Sequence, residues 1–311
     1  MLFNLISNIN NGAGLEVDCQ LIKEVLLKLG HQVCEVHFQR DHQTVPKADV
    51  NLWVEIIVPP FSHASSQNWI FPNPEWFAPS WLTVMKQYGF QKIFCKTRDC
   101  YRIFNRYFSS KELVFTGFFS KDLYDKSIKK RTAFLHAAGK STTKNTQACI
   151  DCWNQGAINV PLIVISDLYS ERRHGNPTGN IEYLTRVSPD RLKTLMNECE
   201  FHLMPSGYEG YGHSLHEGMG CKGIVLTLGV APMLEFGTCP KLFIRSTGNI
   251  THGMALLNRT DAGAIREVVF RALELSHDFR VELGEQARKR FLEDKDFFID
   301  TFSRAIGKSQ A

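Results

Sequence analysis

The sequence predicts an α/β protein with two domains, each built around a doubly wound parallel sheet. At 311 residues the chain is long enough for two domains of ordinary size. Short apolar runs alternate with segments of helical periodicity, an order typical of parallel strands joined by helices. The alternation stops once, between Tyr124 and Arg131, where the residues are polar and show no apolar period. We therefore predict domains at residues 1–127 and 128–291, with a ligand bound in a cleft that the two domains face.

The first domain is expected to begin with a strand, a glycine-rich turn and a helix. An apolar run covers residues 2–9, and the turn is Asn-Asn-Gly-Ala-Gly at 10–14. Apolar side chains then recur at helical spacing until Gly30. The predicted strands that follow are 33–38, 51–58 and 92–95, and the predicted helix is 81–88.

The second half of the chain repeats this alternation. Its predicted strands are 132–137, 161–166, 181–184, 201–204 and 224–227, and its predicted helices are 146–153, 189–197 and one that starts at 214. Apolar repeats predict two more helices at 264–275 and 281–291, and an apolar stripe continues through Phe297 and Phe302 to Ile306.

Composition excludes some classes of protein and leaves the ligand open. A hydrophobic fraction of 43% with 22% charged residues is globular, and a net charge of +4 suits an anionic ligand, a membrane surface or a nucleic acid about equally. Nine scattered cysteines fit the reduced thiols of a cytoplasmic protein. No apolar run reaches the roughly 18 residues of a transmembrane segment. The lone pair Cys149 and Cys152 has no second pair of ligands, so we predict no metal there.

The most informative stretch is 204–223, where a predicted strand ends at Pro205 and a loop with three glycines leads into a helix. Backbone amides of such a loop and helix start can bind phosphate oxygens or sugar hydroxyls. Glu209 in the loop and Glu217 on the helix are eight residues apart, so they can reach different parts of one ligand.

These residues resemble the motif of the retaining GT-B glycosyltransferases, a family that includes sucrose and glycogen synthases (glycosyl transferases group 1). The chain has Pro-Ser at 205–206, Glu-Gly-Tyr-Gly at 209–212, and seven residues between Glu209 and Glu217. The segments 180–191 and 199–205 also look like those that precede the motif, and the close resemblance covers about 130–237. It implies a GT-B fold of two Rossmann-like domains, with a C-terminal helix at about 292–311 packing back on the first domain.

The resemblance also implies roles for individual residues. Glu209 would contact the transferred sugar, and Glu217 would bind the ribose hydroxyls of a nucleotide such as UDP. The remaining donor-binding residues implied are Gly12, Gly14, Arg186, Val187, Tyr211, Gly212, His213, Ser214 and Leu215.

Two lysines follow the first strand of the second domain, at Lys140 and Lys144. The family usually has an arginine and then a lysine five residues later, both neutralising the leaving diphosphate. Here the first is lysine and the spacing is four, which loses the two-pronged guanidinium but keeps the charge. With Glu209, these lysines are the predicted catalytic residues. Gly-Lys-Ser at 139–141 is no ATP-binding P-loop, because Phe134 stands where that motif has its first glycine.

Acceptor-side residues are less clearly marked. The family often has a histidine near the transferred sugar, and residues 71–76 at the corresponding place contain none. Asn73 and Glu75 are candidates, with His63 as a weaker one. The surplus of aromatic residues in this region favours a core over a sugar-stacking platform, and its members are Trp69, Phe71, Trp76, Phe77 and Trp81.

The resemblance implies transfer of a hexose-type sugar from a nucleoside diphosphate, with retention of configuration and with neither metal nor other cofactor. The acceptor stays open among glycan, lipid, small molecule, protein and nucleic-acid base. Two alternatives remain: a sugar epimerase or phosphorylase of the same fold, and a non-catalytic subunit that binds nucleotide sugars.

Overall fold

A computed structural model describes residues 1–307, which form two compact units. Unit 1 contains Met1–Ser120, Thr251–Ala255 and the residues from Asp294 onwards, and unit 2 contains Lys121–Ile250 and Leu256–Glu293. Each unit has a six-stranded sheet in which neighbouring strands are parallel. The predicted α/β class with two Rossmann-like sheets is therefore confirmed.

The sheet of unit 1 has the strand order β2-β1-β3-β4-β5-β6. Its strands are β1 (Leu2–Ser7), β2 (Gln32–His37), β3 (Val50–Val54), β4 (Gln67–Phe71), β5 (Lys92–Cys95) and β6 (Leu113–Phe115), and its helices are α1 (Gly14–Lys28), α2 (Trp81–Gln87) and α3 (Arg98–Phe104). The central strand β3 is buried along its whole length, as expected when both faces of a parallel sheet are covered.

The sheet of unit 2 has the strand order β12-β11-β10-β7-β8-β9. Its strands are β7 (Arg131–Gly139), β8 (Leu162–Ser166), β9 (Ile181–Leu184), β10 (Cys199–Met204), β11 (Ile224–Leu228) and β12 (Phe243–Ile244). A separate two-stranded sheet joins β13 (Gly248–His252) to β14 (Ala255–Arg259). The helices are α4 (Thr146–Asn154), α5 (Glu171–His174), α6 (Pro189–Glu198), α7 (His213–Gly220), α8 (Ala262–Leu273) and α9 (His277–Ile306).

Strands β7 and β10 are neighbours at the centre of the second sheet, and their pairing places the candidate site. Phe134 on β7 stacks on Phe201 on β10, with ring centroids 4.7 Å apart. Because the two strands are parallel, the loops that follow them, 140–145 and 205–212, leave the sheet at the same edge. Residues far apart in the sequence are thereby brought together.

Helix α9 is continuous where the sequence suggested a helix at 281–291 and a separate apolar stripe. Its last turns belong to unit 1, where the Phe302 ring lies 5.1 Å from Phe94 and 5.6 Å from Phe71. Thr301 Oγ1 donates a hydrogen bond to the carbonyl of Thr116 at 3.1 Å. Over residues 1–307, no helix combines the length and the apolar character needed to cross a membrane.

Two histidines are completely buried in the sheet of unit 2 and make its stability depend on pH. Burial lowers the pKa of His136 to about 4 and that of His202 to about 3, from an ordinary value of 6.5. Below pH 6.5 these rings stay neutral in the folded state but become protonated when the protein unfolds. The contribution of each histidine to stability is therefore complete above pH 6.5 and is lost as the pH falls towards its folded pKa.

We expect the free energy of unfolding, measured with urea, to fall by up to about 1.4 kcal/mol per pH unit for each histidine below pH 6.5. His202→Asn should make this dependence shallower, because asparagine does not titrate. The exposed His277→Asn is the control and should leave the slope unchanged. The same slope in His202→Asn and the wild type would contradict the assignment.

Candidate active site

The loop after β10 is fixed by backbone contacts around Gly207. Its amide donates to the carbonyl of Thr143 at 2.8 Å, and its carbonyl accepts from the amide of Asn258 at 2.9 Å. A Cβ atom at Gly207 would lie only 2.4 Å from the carbonyl oxygen of Asn258. Asn145, with a left-handed φ of 50°, donates through Nδ2 to the carbonyl of Pro205 at 2.8 Å. The sequence did not point to Asn145 or Asn258, and both hold the loop in place.

Lys144 connects the end of β7 to the start of α7 and to the loop after β10. Its ammonium donates to Ser214 Oγ at 2.8 Å and to the carbonyl of Ala137 at 3.4 Å. It also lies 3.5 Å from Glu209 Oε1, and both charged side chains are mostly enclosed. The structure thus brings together Lys144, Glu209 and Ser214, all of them predicted from the sequence.

Two polar atoms at this site lack hydrogen bonds within the described chain. Oε1 of Glu209 is buried without a hydrogen-bond partner, although it faces the charge of Lys144. The hydroxyl of Ser206 is also buried without a hydrogen-bond partner. Buried polar groups are almost always hydrogen-bonded, so these atoms call for a partner that a ligand can supply.

Helix α7 starts beside them. Gly212 precedes it with a left-handed φ of 94°, and a Cβ there would lie 2.7 Å from Leu215 Cδ1. The first amides of the helix point out of its N-terminus along the axis, without intrahelical partners, and favour an anion. Leu215 anchors the helix in the core, and Tyr211 packs against Phe236 with ring centroids 5.3 Å apart. Tyr211 and Leu215 therefore support the helix start with their side chains.

Glu217 lies one turn into α7. Burial raises the pKa of its carboxyl group, and the charges of His213, Lys144 and Lys121 oppose that shift. Burial therefore disfavours the charged form of this carboxyl group, and the nearby cationic side chains favour it.

Other residues predicted for the site form no hydrogen bond or ion pair with this cluster within residues 1–307. Lys140 is exposed and forms no hydrogen bond or ion pair within residues 1–307. Arg186 is exposed, with a left-handed φ of 49°, and its amide lies 3.4 Å from Asp167 Oδ1. Val187, the residue after it, is half-buried.

In unit 1, the glycine turn is hydrogen-bonded to a carboxylate of α1. The amide of Gly12 donates to Glu16 Oε2 at 2.9 Å, so this amide is already used inside the loop. Gly14 is the first residue of α1. Glu16, which the sequence gave no reason to single out, therefore already uses the amide of Gly12, one of the predicted donor-binding residues.

The acceptor-side candidates differ in their surroundings. Asn73 Nδ2 donates to Glu55 Oε2 at 2.6 Å, and Glu75 is mostly buried, with its backbone oxygen 2.6 Å from His252 Nδ1. His63 is exposed, and its ring centroid lies 5.8 Å from that of Tyr88. Glu55 was missed because it lies inside a predicted strand.

Neither a protein-family model nor a curated protein matches this chain. Solved structures match over nearly all of it. Anabaena HepE in complex with UDP and glucose has 14% identity and a TM-score of 0.70, with 98% of each chain covered. Sucrose-phosphate synthase from Thermosynechococcus elongatus has 12% identity and a TM-score of 0.73, again over 98% of each chain. WaaG, a glycosyltransferase involved in lipopolysaccharide biosynthesis, has 14% identity and a TM-score of 0.63 over the full length of both. The likeness shows the GT-B fold that the sequence predicted.

Proposed function

We propose that this protein is a glycosyltransferase that moves a sugar from a nucleoside diphosphate, such as UDP, to an acceptor. The observation that carries the proposal is the arrangement around Lys144, which joins Glu209 to Ser214 at the start of α7. A cation and free helix amides suit a diphosphate, and an unsatisfied carboxylate oxygen suits a sugar hydroxyl.

In this proposal Lys144 and the first amides of α7 stabilise the negative charge that develops on the leaving diphosphate. Lys140 is exposed and adds charge from the start of the loop that also carries Lys144. Glu209 accepts a hydrogen bond from the transferred sugar through Oε1. We also propose that the configuration is retained and that neither metal nor other cofactor is needed, as the resemblance of the glutamate motif implies. The nine free thiols support a cytoplasmic location.

Glu217 is proposed to accept hydrogen bonds from the ribose hydroxyls. Replacing it with alanine should weaken UDP binding by about 10- to 100-fold, because a charge-assisted hydrogen bond contributes about 1.5–3 kcal/mol. Isothermal titration calorimetry with UDP measures the effect. Glu274→Ala, an exposed carboxylate on the same unit, is the control and should bind like the wild type.

Hydrolysis of a panel of UDP-, GDP- and ADP-sugars tests the reaction itself. One donor should be hydrolysed by the wild type and more slowly by Glu217→Ala. Failure of every nucleotide to bind, together with no hydrolysis of any donor, would contradict the proposed function.

A further inference from the structure

The turn between β1 and α1 contains Asn11-Gly12, the only Asn-Gly pair of the sequence. Glycine has no side chain to shield its backbone nitrogen. In such a pair this nitrogen can attack the side-chain carbonyl carbon of the asparagine and close a five-membered ring. Asn11 is half-buried, and Gly12 and the two residues after it are exposed. The pair is therefore open to water, which is the second reactant of this chemistry.

Two hydrogen bonds close the turn, and each engages an atom of the ring closure. The amide of Gly12 donates to Glu16 Oε2 at 2.9 Å, and the amide of Ala13 donates to Asn11 Oδ1 at 2.9 Å. The attacking nitrogen therefore faces a carboxylate that can take up its proton. The carbonyl oxygen that becomes negative faces a backbone amide, which is the arrangement of an oxyanion hole.

The reacting groups are positioned, and the leaving group is not restrained. Gln20 Nε2 donates to Glu16 Oε1 at 3.2 Å, which leaves Oε2 for the turn. Asn10 and Gly12, on either side of Asn11, have left-handed φ values of 71° and 65°, so the backbone turns sharply here. Nδ2 of Asn11 forms no hydrogen bond within residues 1–307. The side-chain amide is thus free to depart.

We propose that Asn11 is a site of self-catalysed deamidation, with Glu16 as the general base and the amide of Ala13 stabilising the oxyanion. Glu16 takes the proton of the Gly12 amide while a bond forms between the Gly12 nitrogen and Asn11 Cγ. The Cγ–Nδ2 bond then breaks, and Nδ2 leaves as ammonia with the proton that Glu16 returns. Water opens the resulting succinimide at either of its carbonyl groups, giving aspartate or isoaspartate.

Deamidation adds a carboxylate to the turn, and isoaspartate also lengthens the main chain by one carbon. The new negative charge lies next to Gly12, whose amide is bonded to the carboxylate of Glu16, and it repels a further anion there. Gly12 and Gly14 are predicted donor-binding residues, so the modified chain should bind a nucleoside diphosphate less well. This consequence rests on the proposed function, but the modification does not.

The test is peptide mass spectrometry of the full-length protein after incubation for days in neutral buffer without nucleotide. Trypsin releases residues 1–23 as one peptide, because no lysine or arginine precedes Lys23. Its fragments should show the mass gain of an amide-to-acid conversion at Asn11 and not at the three other asparagines of the peptide. Labelling by isoaspartyl methyltransferase should accompany it. Asn11→Gln should abolish both signals, because glutamine would have to close a less favourable six-membered ring.

Glu16→Gln tests the general base, since glutamine keeps an oxygen for the Gly12 amide but is far less basic. This variant should deamidate at least about tenfold more slowly than the wild type at neutral pH. Its rate should rise about tenfold per pH unit, following hydroxide, whereas the wild-type rate should depend less on pH. Glu24→Gln removes an exposed carboxylate of the same helix and should deamidate like the wild type. Circular dichroism checks that each variant is folded.

An unmodified Asn11 in the folded wild type would overturn the inference, and so would equal rates and equal pH profiles in folded Glu16→Gln and the wild type. Wild-type protein unfolded in urea should deamidate more slowly than the folded protein, because unfolding separates Glu16 from the turn. Asn11→Asp carries the charge of the product and should bind UDP about tenfold more weakly. Deamidation at Asn11 with undiminished UDP binding in Asn11→Asp would leave the modification site standing and reject the role of the glycine turn in donor binding.

Discussion

Replacing Lys144 with alanine is expected to slow sugar transfer by about 100-fold or more. The ammonium is held by Ser214 Oγ at 2.8 Å and lies 3.5 Å from Glu209 Oε1. The variant removes a cation placed for the leaving diphosphate and leaves an enclosed carboxylate without its countercharge. Losing one such group aimed at developing charge costs about 2.7–4 kcal/mol, or a factor of 10²–10³ in rate. Turnover of the donor identified by the hydrolysis panel measures the effect.

Lys140→Ala should slow sugar transfer less, by about tenfold, because the Lys140 side chain is exposed and has no fixed partner within residues 1–307. Lys129→Ala, an exposed lysine of the same unit, is the neutral control. A Lys144→Ala enzyme that turns over its donor as fast as Lys129→Ala would remove Lys144 from the mechanism.

The grouping of Lys144, Glu209 and Ser214 could be anticipated because it depends on short-range patterns. Parallel strands place their following loops at one edge, and each of these residues lies within a few positions of a strand end or a helix start. The spacing of Glu209 and Glu217 is equally local. For the same reason the α/β class could be predicted before any contact between distant residues was known.

Residues that hold the site through distant contacts could not be predicted in this way. Asn145 Nδ2 lies 3.4 Å from the carbonyl of Asn258, across 113 positions of sequence. A single asparagine after a lysine is typical of many loops, and nothing local marks its partner. The left-handed backbone of Asn145 is likewise a consequence of the folded loop.

At Glu55, the strand-like pattern of the sequence continues beyond the end of the observed strand β3. Residues 51–58 are rich in strand-forming side chains, and the sequence therefore predicted one strand, but β3 ends at Val54 because the next residue turns. Strand β4, only five residues long and bounded by polar and proline-rich segments, was not predicted. Both misses have the same cause, because tight turns and short strands leave little periodicity to detect.

Replacing Phe302 with alanine is expected to reduce the free energy of unfolding by about 3–5 kcal/mol, the usual cost of removing a buried phenylalanine. Phe302 is 0% exposed and contacts Phe94 and Phe71 in the sheet of unit 1, as well as Phe298 on its own helix at 5.3 Å. Deleting the ring leaves a cavity between α9 and the sheet that these rigid aromatic neighbours cannot fill. Urea unfolding followed by circular dichroism measures the loss.

Phe279→Ala is the matched control, because this phenylalanine lies on the same helix but is 37% exposed, and it should cost less than half as much. UDP affinity adds a second measurement. The residues proposed to bind the nucleotide are in unit 2, whereas the core around Phe302 is in unit 1, so folded Phe302→Ala should bind UDP like the wild type. Equal destabilisation by the two variants would contradict the packing of the last turns of α9, and a selective loss of UDP binding would show that this core also shapes the donor site.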